Sequence, residues 1–488
     1  MSRGKRLASL SHARELDAEK SGYVSNHCQS CADLKTSPLF GQIHDKVVMK
    51  AKHLERQVGW ATLTSKGWTF ASRYIGAHRR DDCAMEMNRR GTNPIKVYYY
   101  CPRHPGSESM VRNPPQGIEF FSNVSPELFD DFKRPPEYAL LRRTFVKSAG
   151  IAFRTLRTPR RIPVLEDCDL VHMGAAIVPI TSRPWIVTVE YSSAFFSFDD
   201  DWFRSSLMRR GLMRALRRKE CRGILAYSNA AIKSLRFGLG DSFDEISSKV
   251  RVIHHAISPK YLSGNRAHSK EEPRRILFVG NNFFDKGGRE LFLAYRELRK
   301  SFDVELTLVT SVPRRHARLF EAIRSEIERE PGVNLLMGGI SKQELWQKHY
   351  ATASIFCLPT YVDTYPFVLL EAMANRLPIV TTNVCAIPEM VSHENTGLLV
   401  DAPISYYNHD SGIRSTGSVR RYENAIFDSA AFSGVVAELQ KSLSELLEDD
   451  SLRKRFGDNG YHEVSRGKFS VPSRNQQLHE FYRDALER

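Results

Sequence analysis

The 488-residue sequence contains no run approaching the roughly 18 apolar residues that a membrane-spanning helix requires. Arg3, Lys5 and Arg6 make the N-terminus basic, but no apolar stretch follows, which argues against a secretory signal. Cysteine is sparse, and of the eight only Cys28 and Cys31 lie close together. A lone C-x2-C without a second pair is a poor zinc ligand set. The remaining thiols stand singly, as they do in reducing compartments. G-x-G-x-x-G and the P-loop pattern are both absent, which withdraws support from those nucleotide folds. No aromatic-interleaved RNA motif or zinc-finger spacing supports nucleic acid as a partner.

Acidic charge is also short, but only in one half. Residues 1–262 hold 42 Lys/Arg against 26 Asp/Glu, whereas residues 263–488 hold 29 against 30. The net +15 therefore belongs to the first half. Such an excess points to an anionic partner, a membrane surface or a phosphorylated ligand. With 41% hydrophobic and 26% charged residues, packed cores are expected.

Residues 1–90 show no sustained period, although Trp60, Trp68 and Phe70 could anchor a small fold; they read as an extension. From residue 95 short apolar runs alternate with helical stretches, the signature of parallel α/β layering. Strands are predicted at Ile95–Tyr100, Ile118–Phe121, Leu170–Met173, Trp185–Val189, Gly223–Tyr227 and Val250–Ile253. Phe203–Glu220 has the spacing of an amphipathic helix. The polar segment 262–274 reads as a linker. A second series follows, with strands at Arg275–Val279, Val304–Val309, Val333–Leu336, Ile355–Leu358, Ile379–Thr381 and Leu398–Val400. Helices are predicted from about Gly287, over Pro313–Arg329 and Ala431–Leu447, and at Gln476–Leu486. Residues 403–425, rich in Pro, Asn, Asp, Gly and Ser, read as a surface insertion.

Two segments carry candidate chemistry. FVGNNFFDKGG, Phe278–Gly288, leaves a strand and opens a helix, where backbone N–H groups and the helix dipole suit phosphate. Gly280, Asn281 and Lys286 would line it, and Gly287 and Gly288 permit close approach. The alternative is a tight turn with an exposed lysine. In PTYVDTYPFVLLE, residues 359–371, Asp363 precedes a helix and Glu371 lies inside it. Both carboxylates would face the crevice at the strand C-terminal ends, beside the N–H groups of Thr364, Tyr365 and Phe367. A helix cap with a solvated Glu371 is the bland alternative. It fits poorly, because Glu371 is flanked by Phe367, Val368, Leu369, Leu370, Ala372 and Met373.

FVGNNFFDKGG, then YVDTYPFVLLEAMANRLPIVTT, then AIPEMV with TGLLVD, together resemble the nucleotide-sugar-binding half of family 4 glycosyltransferases. These are retaining enzymes of the GT-B fold, and the likeness covers most of residues 274–400. The stretches RRKECRGILAYSNAAIKSL and KVRVIHHAI, and the helix after FSVPSRNQQ, are similar to the end of the family's first domain and to its C-terminal crossover helix. The resemblance implies two Rossmann-like domains facing a central cleft. It places an acceptor-binding domain at 91–262, a nucleotide-sugar-binding domain at 263–470 and a crossover helix at 471–488 that returns to the first domain.

Glu371 matches the second Glu of the family's E-x7-E motif, which binds the donor ribose, and Asp363 stands where the first Glu lies near the donor sugar. Lys286 matches the cation that binds the diphosphate. Asn281 falls where the family has Arg; Arg289 is a candidate substitute. Glu190 replaces the family's His at the end of WIVTV. It could accept a proton or face a developing sugar cation, or be merely a strand-end carboxylate. PRHPG stands where the family has a Gly-rich loop, so acceptor specificity is unreadable. The reaction implied is metal-independent hexosyl transfer, with no cofactor beyond the donor. The basic first half adds the expectation of a lipid-linked or polysaccharide acceptor at the cytoplasmic membrane face. A nucleotide-sugar epimerase and a catalytically weakened binding protein are the alternatives. Three lesser features complete the reading. Asp199, Asp200 and Asp201 read as an acidic turn rather than a metal site, and His254 and His255 as interdomain or packing residues, with lining of the cleft as the alternative. The basic stretch with Arg209, Arg210, Arg214, Arg217, Arg218, Lys219 and Arg222 reads as a solvated helix face or a membrane-facing patch.

Overall fold

A computed structural model describes residues 94–101, 104–122, 160–161, 168–196, 205–262, 273–409 and 411–488. All of them fall in the second of two compact units, Asn93–Arg488. The N-terminal extension with Cys28 and Cys31, the acidic run Asp199–Asp201 and most of the 262–274 linker lie outside the described residues.

Two six-stranded parallel sheets form the core. The first contains β1 (Ile95–Tyr100), β2 (Ile118–Ser122), β4 (Leu170–Met173), β6 (Trp185–Val189), β7 (Cys221–Ala226) and β8 (Val250–Val252), in the order β2-β1-β4-β6-β7-β8. Between them β3 (Arg160–Arg161) and β5 (Pro179–Ile180) pair as a small separate ladder. The second sheet contains β9 (Arg274–Asn281), β10 (Val304–Ser311), β11 (Val333–Met337), β12 (Ile355–Leu358), β13 (Ile379–Thr382) and β14 (Gly397–Val400). Its order is β11-β10-β9-β12-β13-β14. Strands such as Trp185–Val189 and Ile355–Leu358 are buried along their whole length. A parallel sheet covered on both faces demands such continuous apolar runs.

Three helices of the first domain matter here: α1 (Pro105–Arg112), α2 (Ser206–Leu216) and α3 (Asn229–Leu239). In the second domain α4 (Gly288–Leu298) buries Leu291, Phe292, Tyr295 and Leu298, one stripe at helical spacing. α5 (Ala317–Arg329), α6 (Phe367–Ala374), α7 (Thr416–Ala425), α8 (Ser433–Glu448) and α9 (Asp450–Ser465) follow. The last helix, α10 (Val471–Glu487), leaves the second domain and packs on β7 of the first. Leu478, Phe481, Tyr482 and Ala485 form its buried stripe. The result is the GT-B architecture.

Several expectations need correction. Residues 403–425 are not a surface insertion: they contain α7, and Tyr406, Tyr407, Ile413 and Tyr422 are buried. The polar residues hid the aromatic rings that anchor the segment. The basic helix ends at Leu216, four residues early, because Cys221 already enters β7. Pro313 caps a 3-10 turn, Arg314–His316, and the α-helix starts only at Ala317. The helices α1, α3, α7 and α9 were not anticipated.

Candidate functional site

In the second sheet the strand order reverses between β9 and β12. Open α/β sheets bind ligands outside the strand ends at such a switch point. The loops leaving these two strands are those singled out by sequence, 282–287 and 359–366. Gly287 turns the first with φ of 75°, and an added Cβ there would lie 2.1 Å from the Pro359 carbonyl oxygen. At Gly288 it would meet the Phe283 ring at 2.4 Å. Gly287 therefore fits one loop against the other, and Gly288 fits its own loop around the Phe283 ring. Gly280, the penultimate residue of β9, lies beside the Lys286 side chain.

Lys286 reaches across this junction. Its Nζ donates to Asp363 Oδ2 at 2.5 Å and to the Val362 carbonyl at 2.7 Å. Glu190, at the end of β6 in the first domain, completes the cluster: Thr364 Oγ1 donates to its Oε2 at 3.5 Å. Burial first, and then the Asp363 charge, push the Glu190 carboxyl up to about 7. Three of the four predicted catalytic residues thus converge from both domains.

Glu371 joins a different set. It is 6% exposed within α6, accepts from the Tyr350 hydroxyl at 3.0 Å, and is held above the ordinary carboxylate range by burial. Its charged neighbours are Lys342 and Glu108. Glu108 of α1 is itself 2% exposed and pairs with Lys260 at 2.7 Å and, across the domains, with Lys342 at 2.8 Å.

Tyr365 and Phe367 use their side chains to join the domains. Tyr365 stacks on His254, and Phe367 meets His104 and His255 edge-on at 5.7 and 5.8 Å. Burial holds His104 down to about 4 and His255 well below its usual value, so both rings are neutral. In the first turn of α6 the Leu369 N–H is already taken by the Pro366 carbonyl at 3.0 Å. Asn281 is exposed and accepts from Ser311 Oγ at 3.1 Å. Arg289 is no substitute for the missing cation. It is 6% exposed, paired with Glu290, and donates to the Ile426 carbonyl.

Sequence reasoning missed His104, Glu108 and Lys342. A signal for the first existed: Pro105 sits at the first helical position and His104 caps it, accepting from Gly106 N–H at 3.1 Å. Also missed was the short antiparallel bridge between Tyr407 and Arg414, where the Arg414 N–H donates to the Tyr191 hydroxyl of the first domain at 2.7 Å. Among the described residues no group of three or more His, Cys, Asp or Glu is arranged to hold a metal ion. No helix among them is long and apolar enough to cross a membrane.

Residues 273–408 match the family model of the glycosyl transferases group 1. The lipopolysaccharide glucosyltransferase WaaG of Escherichia coli is 30% identical over 136 residues, 28% of this chain and 35% of that one. The capsular polysaccharide biosynthesis glycosyltransferase CapM of Staphylococcus aureus is 24% identical over 213 residues, 43% of this chain and 46% of its own. The chain thus spans less than half the length of these relatives. Sucrose-phosphate synthase from Thermosynechococcus elongatus shares the fold with a TM-score of 0.51, at 14% identity over 80% of this chain and 99% of that one. The second domain is a homologue of the group 1 glycosyltransferases, carried on a GT-B fold.

Proposed function

We propose that this chain is a retaining, metal-independent hexosyltransferase of family 4, taking its sugar from a nucleotide-diphosphate donor. The convergence of Lys286, Asp363 and Glu190 at the switch point carries this reading. Breaking the sugar–phosphate bond builds negative charge on the departing diphosphate, and a prepositioned Lys286 offsets it. Asp363 faces the sugar carbon as it becomes cation-like. The acceptor oxygen bonds to that carbon on the face the phosphate leaves, and its proton passes to the Glu190 carboxylate. Glu371 accepts hydrogen bonds from donor ribose hydroxyls.

The decisive experiment combines a thermal-shift screen of nucleotide sugars with product analysis, since ligands of the native state raise its stability. Free nucleotide diphosphate released only when acceptor is present supports transfer; a changed sugar stereocentre in the donor, with no net release of nucleotide, favours an epimerase. Asn281 motivates a second reading, a binding protein that has lost catalysis. That reading prevails if wild type and Glu371→Ala are equally silent with every donor while the nucleotide still binds.

For the acceptor we propose a lipid-linked or polysaccharide precursor at the cytoplasmic membrane face. Support comes from α2, with Leu207 66% exposed, and from Phe237 on α3, 61% exposed, whose neighbour Gly238 accepts from Arg209 of α2 at 3.3 Å. Vesicles with and without anionic lipid test it in sedimentation, and equal binding to both counts against it.

A further inference from the structure

Glu389 has no place in the chemistry above, yet it makes three hydrogen bonds to the other domain. It lies in a single helical turn, Ile387–Met390, on the loop that leaves β13. Its Oε2 accepts from the Asn229 backbone N–H at 2.7 Å and from Asn229 Nδ2 at 3.0 Å. Its Oε1 accepts from the Ala230 N–H at 2.7 Å. Asn229 and Ala230 are the first two residues of α3, in the other domain. Within that domain Ser228 caps the helix, but its hydroxyl reaches only the Ala231 N–H, at 3.1 Å. The two N–H groups left over are those Glu389 takes. A carboxylate at this end also meets the positive pole of an eleven-residue helix. Lys468 Nζ holds the Glu389 carbonyl at 2.7 Å, so the turn is tethered from behind.

The position of this contact gives it a consequence. α3 follows β7, the strand beside β6, and the Tyr227 N–H donates to the Val189 carbonyl next to Glu190. The turn carrying Glu389 follows β13, the strand beside β12, and the Thr382 hydroxyl donates to the Thr360 carbonyl on the loop that leads to Asp363. Each partner thus stands one strand away from a reacting carboxylate, on the same edge of its sheet. We infer that Glu389 is a cross-domain positioning residue: by completing the cap of α3 it holds the cleft in the arrangement that sets Glu190 against Thr364 and Asp363. Its kinetic consequence rests on the transferase reading; the closure itself does not.

Asn229→Asp tests this from the opposite wall. An acidic residue in the first turn favours the helix itself, so the first domain should keep its stability, while two carboxylates now face each other across the cleft. In the full chain without ligand, small-angle scattering should show an increased radius of gyration. With donor and acceptor, kcat should fall about tenfold or more while donor KM changes little, because the donor loops are untouched. Adding Glu389→Gln should restore compaction and kcat toward wild type, since the amide N–H can donate to the new Asp. Glu389→Gln alone, which keeps an acceptor, should show a smaller opening. If Asn229→Asp matches wild type in both scattering and kcat, or if Glu389→Gln fails to rescue it, the inference is overturned. If the scattering changes as described but wild type transfers no sugar to any acceptor, the latch stands and the transferase reading falls.

Discussion

Glu190 and Asp363 bring two carboxylates together with one lysine. The Lys286 ammonium is placed on Asp363, and the proton settles on Glu190, whose carboxyl is pushed up to about 7. A group in that range changes charge near neutrality, as a catalytic base requires. With Glu190 accepting the acceptor's proton, kcat/KM should rise with pH and level off above about 7. Glu190→Gln should abolish that limb along with most of the activity. Asp363→Asn should move the limb of its residual activity to lower pH, because the charge that raises Glu190 is gone. The folded state binds this proton more tightly than the unfolded chain. The Glu190 contribution to stability therefore falls as pH rises from about 4.5 to about 7, and Glu190→Gln should melt with less pH dependence across that window. Glu371 makes the contrasting case. Its burial opposes ionisation, so Glu371→Gln should hold or raise the melting temperature. The same change removes a charge-assisted acceptor worth about 1.5–3 kcal/mol, so donor affinity should drop roughly tenfold to a hundredfold by calorimetric titration. A drop in both would mark Glu371 as a structural residue only.

At the scale of elements the loops after β9 and β12 act as one part. Gly287→Ala would place a methyl on the Pro359 carbonyl in a left-handed backbone conformation. It should cost about 1–3 kcal/mol in denaturant unfolding, and donor binding should weaken with it, since Lys286 and Asp363 sit on the two loops being pushed apart. This junction was legible in the sequence because both loops interrupt buried apolar strands, and apolar strands bounded by Gly and Pro are read locally. The strands were legible for the same reason. The segment 403–425 was misread because composition counted its Ser, Asn and Asp residues and overlooked Tyr406, Tyr407 and Tyr422, whose rings fill the core. The partners of the site on the far wall left no local trace at all. Glu108 meets Lys342, and Asn229 meets Glu389, across separations of 234 and 160 residues. Such pairs exist only once two sheets have been set face to face.

For the whole molecule, α10 links the two sheets outside the cleft. It follows α9, which packs on α6 of the second domain, and then lies on the first. Arg474 is 3% exposed and donates to Ser109 Oγ at 3.1 Å and to the Asn113 carbonyl at 2.6 Å. The Tyr482 hydroxyl lies 2.7 Å from His172 Nδ1 beneath the first sheet. Phe481 fills the space that Gly223 leaves on β7, where an added Cβ would stand 2.5 Å from its ring. The first domain thus borrows part of its core from the C-terminus, and the two domains should unfold as one. Phe481→Ala removes the central contact, at about 3–5 kcal/mol for a buried Phe. Because that loss falls on the first domain alone, scanning calorimetry should resolve an early transition for the first domain and a later one for the second. Donor binding, seated in the second domain, should raise the later transition and leave the earlier one nearly in place. One undivided transition, shifted as a whole by donor, would mean that the cleft contacts, rather than α10, couple the domains.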